Sequence, residues 1–397
     1  MKIVFHGQLL NHTNKTGIAW AAHHFILELA KYPENECIIQ IFSLFHKKEN
    51  LKNLKVYEDA GCRIDECRWF PYALYKILWL ILPIPYQMFF HSKPDITQFF
   101  DFTAPPGIKG AAVTFIHDMA YRAYPKTVSF KTRNWLRASM KRTCQHADHI
   151  ITISEFSKKE IVKYLKVPDK QITVVPCAVD HTVYHPGYSK TQIQNTKEKY
   201  GIDIDREYFL YLGTIEPRKN LEQLICAYAK LVQIYEKQKE KVPLLVLAGG
   251  RGWNCRQIYE KAKALQLHHQ VYFTGYIEQK DSPALMCGAL AFVFPSVYEG
   301  FGMPPLEAMA CGTSVIVSNT SSLPEVIKNA GILVNPTSKK EIYEAMKKVL
   351  EDTAFRRELE IRARKRAQTF TWQKSADKLM KVYKTLLAKQ SESWLEL

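Results

Sequence analysis

The densest run of residues able to do chemistry is Phe294-Pro-Ser-Val-Tyr-Glu-Gly-Phe-Gly-Met-Pro-Pro-Leu-Glu-Ala-Met-Ala-Cys-Gly. It carries two carboxylates, Glu299 and Glu307, with seven residues between them. Glu299 falls in a glycine-containing loop after a predicted buried strand. Glu307 falls in the first turns of a helix predicted to open near Pro304 or Pro305, where proline is tolerated. Gly300 and Gly302 let backbone amides come close to a ligand. The helix N-terminus adds unpaired N–H groups and the positive end of a dipole. Carboxylates are poor phosphate ligands but good acceptors for sugar or ribose hydroxyls. The pattern suggests a nucleotide-sugar, with amides for the diphosphate and carboxylates for hydroxyls. Two merely solvated charges would leave the surrounding glycines and prolines unexplained.

Three further constellations each follow a predicted strand. Gly213-Thr-Ile-Glu-Pro-Arg-Lys-Asn-Leu places Arg218 and Lys219 side by side at a strand-to-helix turn. A guanidinium fork and an ammonium point charge both suit a diphosphate, although such a pair could equally cap a helix at the surface. Ala248-Gly-Gly-Arg-Gly-Trp contains Gly250 and reads either as a ligand loop or as a tight turn. Phe115-Ile-His-Asp ends a strand with His117, either a site residue or a structural histidine held by Asp118. In open α/β sheets ligands bind beyond the carboxyl ends of the strands, where all four constellations lie.

The elements that would position these residues alternate along the chain. Strand candidates are Lys2–Phe5, Ile38–Leu44, Ile96–Phe100, Ala112–Ile116, His149–Ile153 and Ile172–Val175. A second series comprises Tyr208–Leu212, Leu244–Ala248, Val271–Thr274, Leu290–Phe294, Ser314–Ser318 and Gly331–Val334. Helical patterns lie between most of them, among them Thr16–Leu29, and this alternation predicts parallel sheets covered on both faces. Tyr184-His-Pro-Gly-Tyr-Ser and the polar stretch after it read as a junction. The predicted fold is therefore α/β, with two doubly wound Rossmann-like domains facing a cleft. The first spans residues 1–185 and the second 186–370. A C-terminal amphipathic helix in 371–397 is expected to pack back toward the first domain.

The 397 residues carry 55 Lys and Arg against 39 Asp and Glu, a net charge of +16 that points to an anionic partner. Half of the excess lies in residues 101–200. No acidic residue occurs between Asp118 and Asp148, and Arg133, Arg137 and Lys141 recur every four residues, one stripe of a helix. The stripe is either an ordinary solvated face or a contact for anionic lipid headgroups or a pyrophosphate-linked lipid acceptor. Nucleic acid is disfavoured, since no recognition helix or RNA-binding signature is evident. Trp69–Phe90 is rich in aromatics and reads either as a core helix or as a surface dipping into lipid headgroups. Its apolar tract is too short for a spanning helix and is broken by Pro83 and Pro85. The nine cysteines show no structural-zinc spacing, and no signal peptide is expected at the N-terminus. A cytoplasmic location is expected.

These motifs, in this order, resemble the retaining glycosyltransferases of family 4, which have the two-domain GT-B fold. The resemblance runs from Gly17 to the Phe370-Thr-Trp region. It is carried by Glu299–Glu307, Gly213–Leu221, Thr152-Ile-Ser-Glu-Phe-Ser-Lys and Val174-Val-Pro-Cys-Ala-Val-Asp. It implies that Glu307 accepts the ribose hydroxyls of the donor nucleotide. Glu299 would stand beside the transferred sugar, with the Phe301 and Gly302 amides near that sugar's hydroxyls and Met303 among the donor-binding residues. Lys219 would be the diphosphate cation, and His117 would reach the donor sugar. Gly17 would belong to the loop near the diphosphate, and Tyr276 and Ile277 would lie near the nucleobase. Many members carry an arginine where this chain has Thr214, so Arg218 is the candidate replacement. The resemblance further implies no cofactor and no metal requirement. The expected reaction transfers a sugar, first mannose from GDP-mannose, to a growing and lipid-linked surface glycan. Peripheral attachment would be to the cytoplasmic face of the inner membrane. A UDP-sugar-dependent transferase and a nucleotide-sugar 2-epimerase are the alternatives.

Overall fold

A computed structural model describes residues 1–11, 15–44, 52–238 and 240–395, the last six of these by backbone alone. The chain divides into two compact units, Met1–Cys177 with Trp372–Leu397, and Ala178–Thr371. The junction read from the sequence lies a little later, at 185. Tyr184 falls in the second unit because its buried ring belongs to that core and its hydroxyl meets Ser282 Oγ at 3.3 Å.

The first unit is built on a seven-stranded sheet of β1 (Lys2–His6), β2 (Glu36–Phe42), β3 (Arg63–Cys67), β4 (Ile96–Phe99), β5 (Ala111–Phe115), β6 (His149–Thr152) and β7 (Ile172–Val174), in the order β3-β2-β1-β4-β5-β6-β7. Every pairing is parallel. The central strands are buried along nearly their whole length, as a sheet covered on both faces requires. β3 is absent from the sequence reading. It is an edge strand, Arg-Ile-Asp-Glu-Cys, whose three charged residues in five leave no apolar run to detect.

On one side of this sheet an aromatic core forms from Phe42, Tyr75, Trp79, Tyr86, Phe89 and Phe99. The Trp69–Phe90 segment is not one core helix. It consists of a short helix Tyr72–Leu78 and a 3-10 turn Tyr86–Phe89, separated by the stretch containing Pro83 and Pro85. Helix Phe130–His146 buries Leu136, Ser139, Met140 and Thr143, the i, i+3, i+4, i+7 face expected of a surface helix.

The second unit carries β8 (Tyr208–Leu212), β9 (Leu244–Ala248), β10 (Val271–Gly275), β11 (Ala291–Phe294), β12 (Val315–Ser318) and β13 (Ile332–Val334). They form a six-stranded parallel sheet in the order β10-β9-β8-β11-β12-β13. In both sheets the chain starts at an inner strand, runs out to one edge, then returns to the other side. The reversal falls between β1 and β4 in the first sheet and between β8 and β11 in the second. At such a switch point the loops leaving two adjacent strands diverge and open a crevice.

Candidate functional site

The loops leaving β8 and β11 are the Arg218-Lys219 turn and the Glu299 loop, so the switch point of the second sheet brings the two main motifs together. Val297 N–H donates to the Arg218 carbonyl at 3.0 Å. The Asn220 side chain donates to the carbonyls of Pro295 (3.1 Å) and Pro336 (2.7 Å). Asn220 has φ +59°, the left-handed conformation, and caps helix Leu221–Lys237. The backbone turn that places Lys219 thus depends on it.

At the centre lies a buried ionic knot. Lys219 Nζ donates to Glu299 Oε1 at 2.6 Å, and Arg218 Nη1 donates to Glu299 Oε2 at 2.9 Å and to the Tyr298 carbonyl at 2.8 Å. Arg218 Nη2 donates to Glu216 Oε1 at 2.9 Å. Both terminal nitrogens of the guanidinium therefore bind protein carboxylates. The Lys219 ammonium also lies 4.9 Å from the Phe294 ring centre. Glu299 and Lys219 are both buried. Burial would raise the Glu299 pKa, but the two cations outweigh it and hold it at about 2. The Lys219 pKa is lowered by burial and by Arg218, against the pull of Glu299. Removing such charges from water costs on the order of several kcal/mol per ion, so a buried triad at two strand ends marks a site better than it explains stability.

Helix Met303–Ala310 begins at Met303, one residue before the predicted opening, with Gly302 (φ +106°) as its cap. A Cβ on Gly302 would also lie 2.6 Å from Leu323 Cδ2, so only glycine fits. Phe301 is buried with its ring edge-on to Phe370, leaving its amide rather than its side chain for a ligand. Glu307 is half-buried, and desolvation pushes its carboxyl up to about 7, partly opposed by a hydrogen bond from the Tyr184 hydroxyl. The two carboxylates of the motif are thus electrostatic opposites: Glu299 is fixed as an anion, whereas Glu307 titrates near neutrality.

The sequence reading missed the loop after β12. Ser321 Oγ accepts the Glu299 N–H at 3.0 Å, and Ser322 Oγ lies 2.9 Å and 3.0 Å from the carbonyls of Glu299 and Phe301. Ser321 has φ +55°. The signal available was the polar run Ser318-Asn-Thr-Ser-Ser after a wholly buried strand.

The glycine loop after β9 lies along the loop after β8. Ile215 N–H donates to the Gly250 carbonyl at 2.9 Å, and Gly252 N–H to Ile215 at 3.0 Å. A Cβ on Gly249 would sit 1.9 Å from the Gly213 carbonyl oxygen, whereas one on Gly250 would meet nothing within 4 Å. Gly249 is therefore needed for loop packing, and Gly250 faces open space. Beyond β10, Tyr276 is 60% exposed while Ile277 is buried.

In the first unit, Gly17 begins helix Gly17–Ala30, with Thr16 Oγ1 accepting the Ala19 N–H at 3.4 Å, and a Cβ on Gly17 would meet nothing within 4 Å. His117 is buried, and its Nε2 contacts the Phe100 carbonyl at 2.7 Å; Asp118 instead accepts the Ala120 N–H. Burial lowers the His117 pKa, so the ring is neutral near pH 7 with its proton on Nε2 and Nδ1 as the acceptor. On helix Phe130–His146, Arg137 and Lys141 are exposed. Arg133 is half-buried, with Nη1 on the Pro125 carbonyl at 3.1 Å.

Two parallel-sheet α/β domains of this kind are those of the GT-B fold. Sucrose-phosphate synthase of Thermosynechococcus elongatus superposes with a TM-score of 0.73 at 19% identity, over 98% of this chain and all of that one. Anabaena HepE in complex with UDP and glucose superposes with a TM-score of 0.68 at 18% identity, over the whole of both chains. Residues 22–183 match Glycosyltransferase Family 4 and residues 192–366 match Glycosyl transferases group 1. O-antigen chain mannosyltransferase B of Escherichia coli is 32% identical over 69% of this chain and 70% of its own length. The serotype-specific mannosyltransferase WbdA of the same organism is 34% identical over 63% of this chain, which spans 30% of WbdA's length. The O-antigen chain mannosyltransferase RfbU of Salmonella typhimurium is 29% identical over 62% of each chain. The chain belongs to this family of GT-B glycosyltransferases and is a glycosyltransferase.

Proposed function

We propose that the protein transfers a sugar, with retention of anomeric configuration, from a nucleotide-diphosphate donor to a hydroxyl of a growing, lipid-linked surface glycan. GDP-mannose is the first donor to test, since the relatives above are named mannosyltransferases. The observation that carries the reading is the Arg218–Lys219–Glu299 knot, set at the switch point in the same loop-and-helix motif as Glu307. Helix Met303–Ala310 and the Phe301 and Gly302 amides offer donors to the donor's phosphate and sugar oxygens. Lys219 offsets charge building on the leaving diphosphate. Glu307 accepts ribose hydroxyls, and Tyr276 with the Ile277 backbone borders the base. His117 offers Nδ1 to the donor sugar. Gly17 and Gly250 keep open backbone where phosphate must approach.

A carboxylate held at about 2 by two cations is a weak base and a weak nucleophile. Glu299 therefore suits binding better than attack. Retention would then proceed by front-face displacement, with the departing phosphate helping to deprotonate the acceptor. No metal is required in this reading.

A thermal-shift screen with GDP-, UDP-, ADP- and dTDP-sugars tests it without the acceptor. A shift with GDP-mannose that Glu307→Ala abolishes supports the assignment, whereas a shift confined to a UDP-sugar moves the donor to the uridine class. Nucleotide binding by Glu307→Ala equal to the wild type would remove the site assignment. Conversion of donor to its epimer without acceptor would make the protein an epimerase.

A further inference from the structure

Seven exposed large apolar side chains lie in two neighbouring stretches of the first unit. Trp69, Leu74, Ile77, Ile81, Leu82 and Met88 come from the Trp69–Phe90 segment, and Phe130 opens helix Phe130–His146. Ile77, Ile81 and Phe130 are 57%, 71% and 71% exposed. Helix Tyr72–Leu78 supplies two of them, Leu74 and Ile77. Tyr75 and, just past its end, Trp79 enter the aromatic core, while Ala73, Leu74 and Ile77 stand outward, so the helix is apolar on both faces yet covered on only one.

The two stretches are held together as one surface. Trp79 and Trp135 meet edge to face at 6.3 Å, the Lys76 ammonium lies 4.4 Å from the Trp135 ring centre, and Arg142 Nη1 reaches the Trp79 carbonyl at 3.4 Å. A groove of about 690 Å³ runs between them, lined by Ala73, Lys76, Ile77, Phe130, Lys131 and Trp135. The Arg133 guanidinium, 5.6 Å from the Phe130 ring centre, braces that exposed ring.

Charge identifies the occupant. Lys76 is the sole charged residue from Trp69 to Phe90, and residues 119–147 contain seven Lys and Arg with no acidic residue. A second copy of the chain on this face would set like charges against each other. An anionic lipid surface offers apolar chains for the outward side chains and phosphates for the cations around them. Among the described residues no helix is long and apolar enough to cross a membrane, so the contact is interfacial.

We propose that this face inserts into the headgroup region of an anionic bilayer. Trp69, Ile77, Ile81, Leu82, Met88 and Phe130 reach below the headgroups, and Lys76, Lys131, Arg137 and Lys141 meet lipid phosphates. The proposal rests on the lipid-linked acceptor reading only for its purpose, which is to keep the enzyme where such an acceptor lies.

Flotation of the full chain with phosphatidylcholine vesicles, with and without phosphatidylglycerol, tests it using neither donor nor acceptor, so failure here leaves the transferase reading intact. Binding is expected only with phosphatidylglycerol, and the Ile77→Asp/Ile81→Asp variant should bind at least about tenfold more weakly. Its circular dichroism spectrum and nucleotide binding should match the wild type, since both side chains are exposed. Brominated lipid should quench wild-type fluorescence more than that of Trp69→Phe. Absence of vesicle binding, binding that survives the double substitution, or equal quenching of the two proteins would overturn insertion. A dimer that the double substitution dissolves, without vesicle binding, would assign the face to a second copy instead.

Discussion

At the scale of single residues the two carboxylates predict opposite responses to pH. Glu307 has a pKa raised from 4.5 to about 7, so its protonated form is favoured by folding. Its contribution to stability is full below about 4.5 and is lost as the pH rises through about 7. Glu307→Gln should flatten that part of the stability profile, as read by urea midpoints between pH 5 and 8. Ribose hydroxyls donating to this group favour its charged form, so nucleotide binding near pH 6.5 should release a proton. Calorimetry in buffers of different ionisation enthalpy would count it, and the Gln variant should release none. Equal proton counts in the two proteins would place the ribose elsewhere. Glu299 behaves in the reverse sense. Held at about 2, it contributes stability above about 4.5 that is lost as the pH falls toward 2. Glu299→Gln leaves Lys219 buried without its anion, while the half-buried Arg218 keeps Glu216, and should destabilise the fold by about 3–5 kcal/mol. A loss under ~1 kcal/mol in urea unfolding would mean the knot is solvated in solution.

At the scale of elements the decisive feature is the pair of loops at the switch point, and it separates what the sequence could tell from what it could not. The Glu299-to-Glu307 spacing was legible because a loop and the helix it enters are local, and the strand-to-helix turn at Arg218 was legible for the same reason. That Arg218 and Lys219 bind Glu299 was not, because it requires β8 to lie beside β11, some eighty residues apart. The serines after β12 were hidden likewise, since they act on a loop about twenty residues earlier. The edge strand β3 was hidden by its charges, and the two-sided character of Trp69–Phe90 by an apolar pattern that core and exposed faces share. The glycine loops offer a contrast that tests this geometry. Gly249→Ala must push against the Gly213 carbonyl at a φ of +145° and should cost about 1–3 kcal/mol. Gly250→Ala enters open space and should leave the thermal midpoint nearly unchanged while weakening donor binding. If both variants bind donor like the wild type, the loop after β9 does not face the phosphates.

At the scale of the whole molecule the chain returns, after the second sheet, to the first unit. Trp372 stacks on His24 at 4.8 Å and meets Phe25 edge to face, while Ala376, Leu379, Met380 and Tyr383 are buried. Ser375 Oγ donates to the Pro176 carbonyl at 2.8 Å, and the Tyr383 hydroxyl donates to Gln98 Oε1 at 2.7 Å on the buried strand β4. The outward lysines Lys374, Lys378, Lys381 and Lys384 are exposed, so the helix adds both apolar cover and part of the +16 charge. Ending the chain at Thr371 would uncover Phe25 and leave Gln98 without that hydroxyl, each costing on the order of 1–3 kcal/mol. The loss should fall on one unit. Hydrogen exchange is expected to accelerate in β1, β4 and helix Gly17–Ala30 of the truncated chain and to stay unchanged in β8, β9 and β11. Nucleotide binding, which depends on the Ala178–Thr371 unit in the reading above, should persist. Uniform acceleration across both sheets would show instead that the two units unfold together, and loss of nucleotide binding would show that the donor site needs the first unit to be intact.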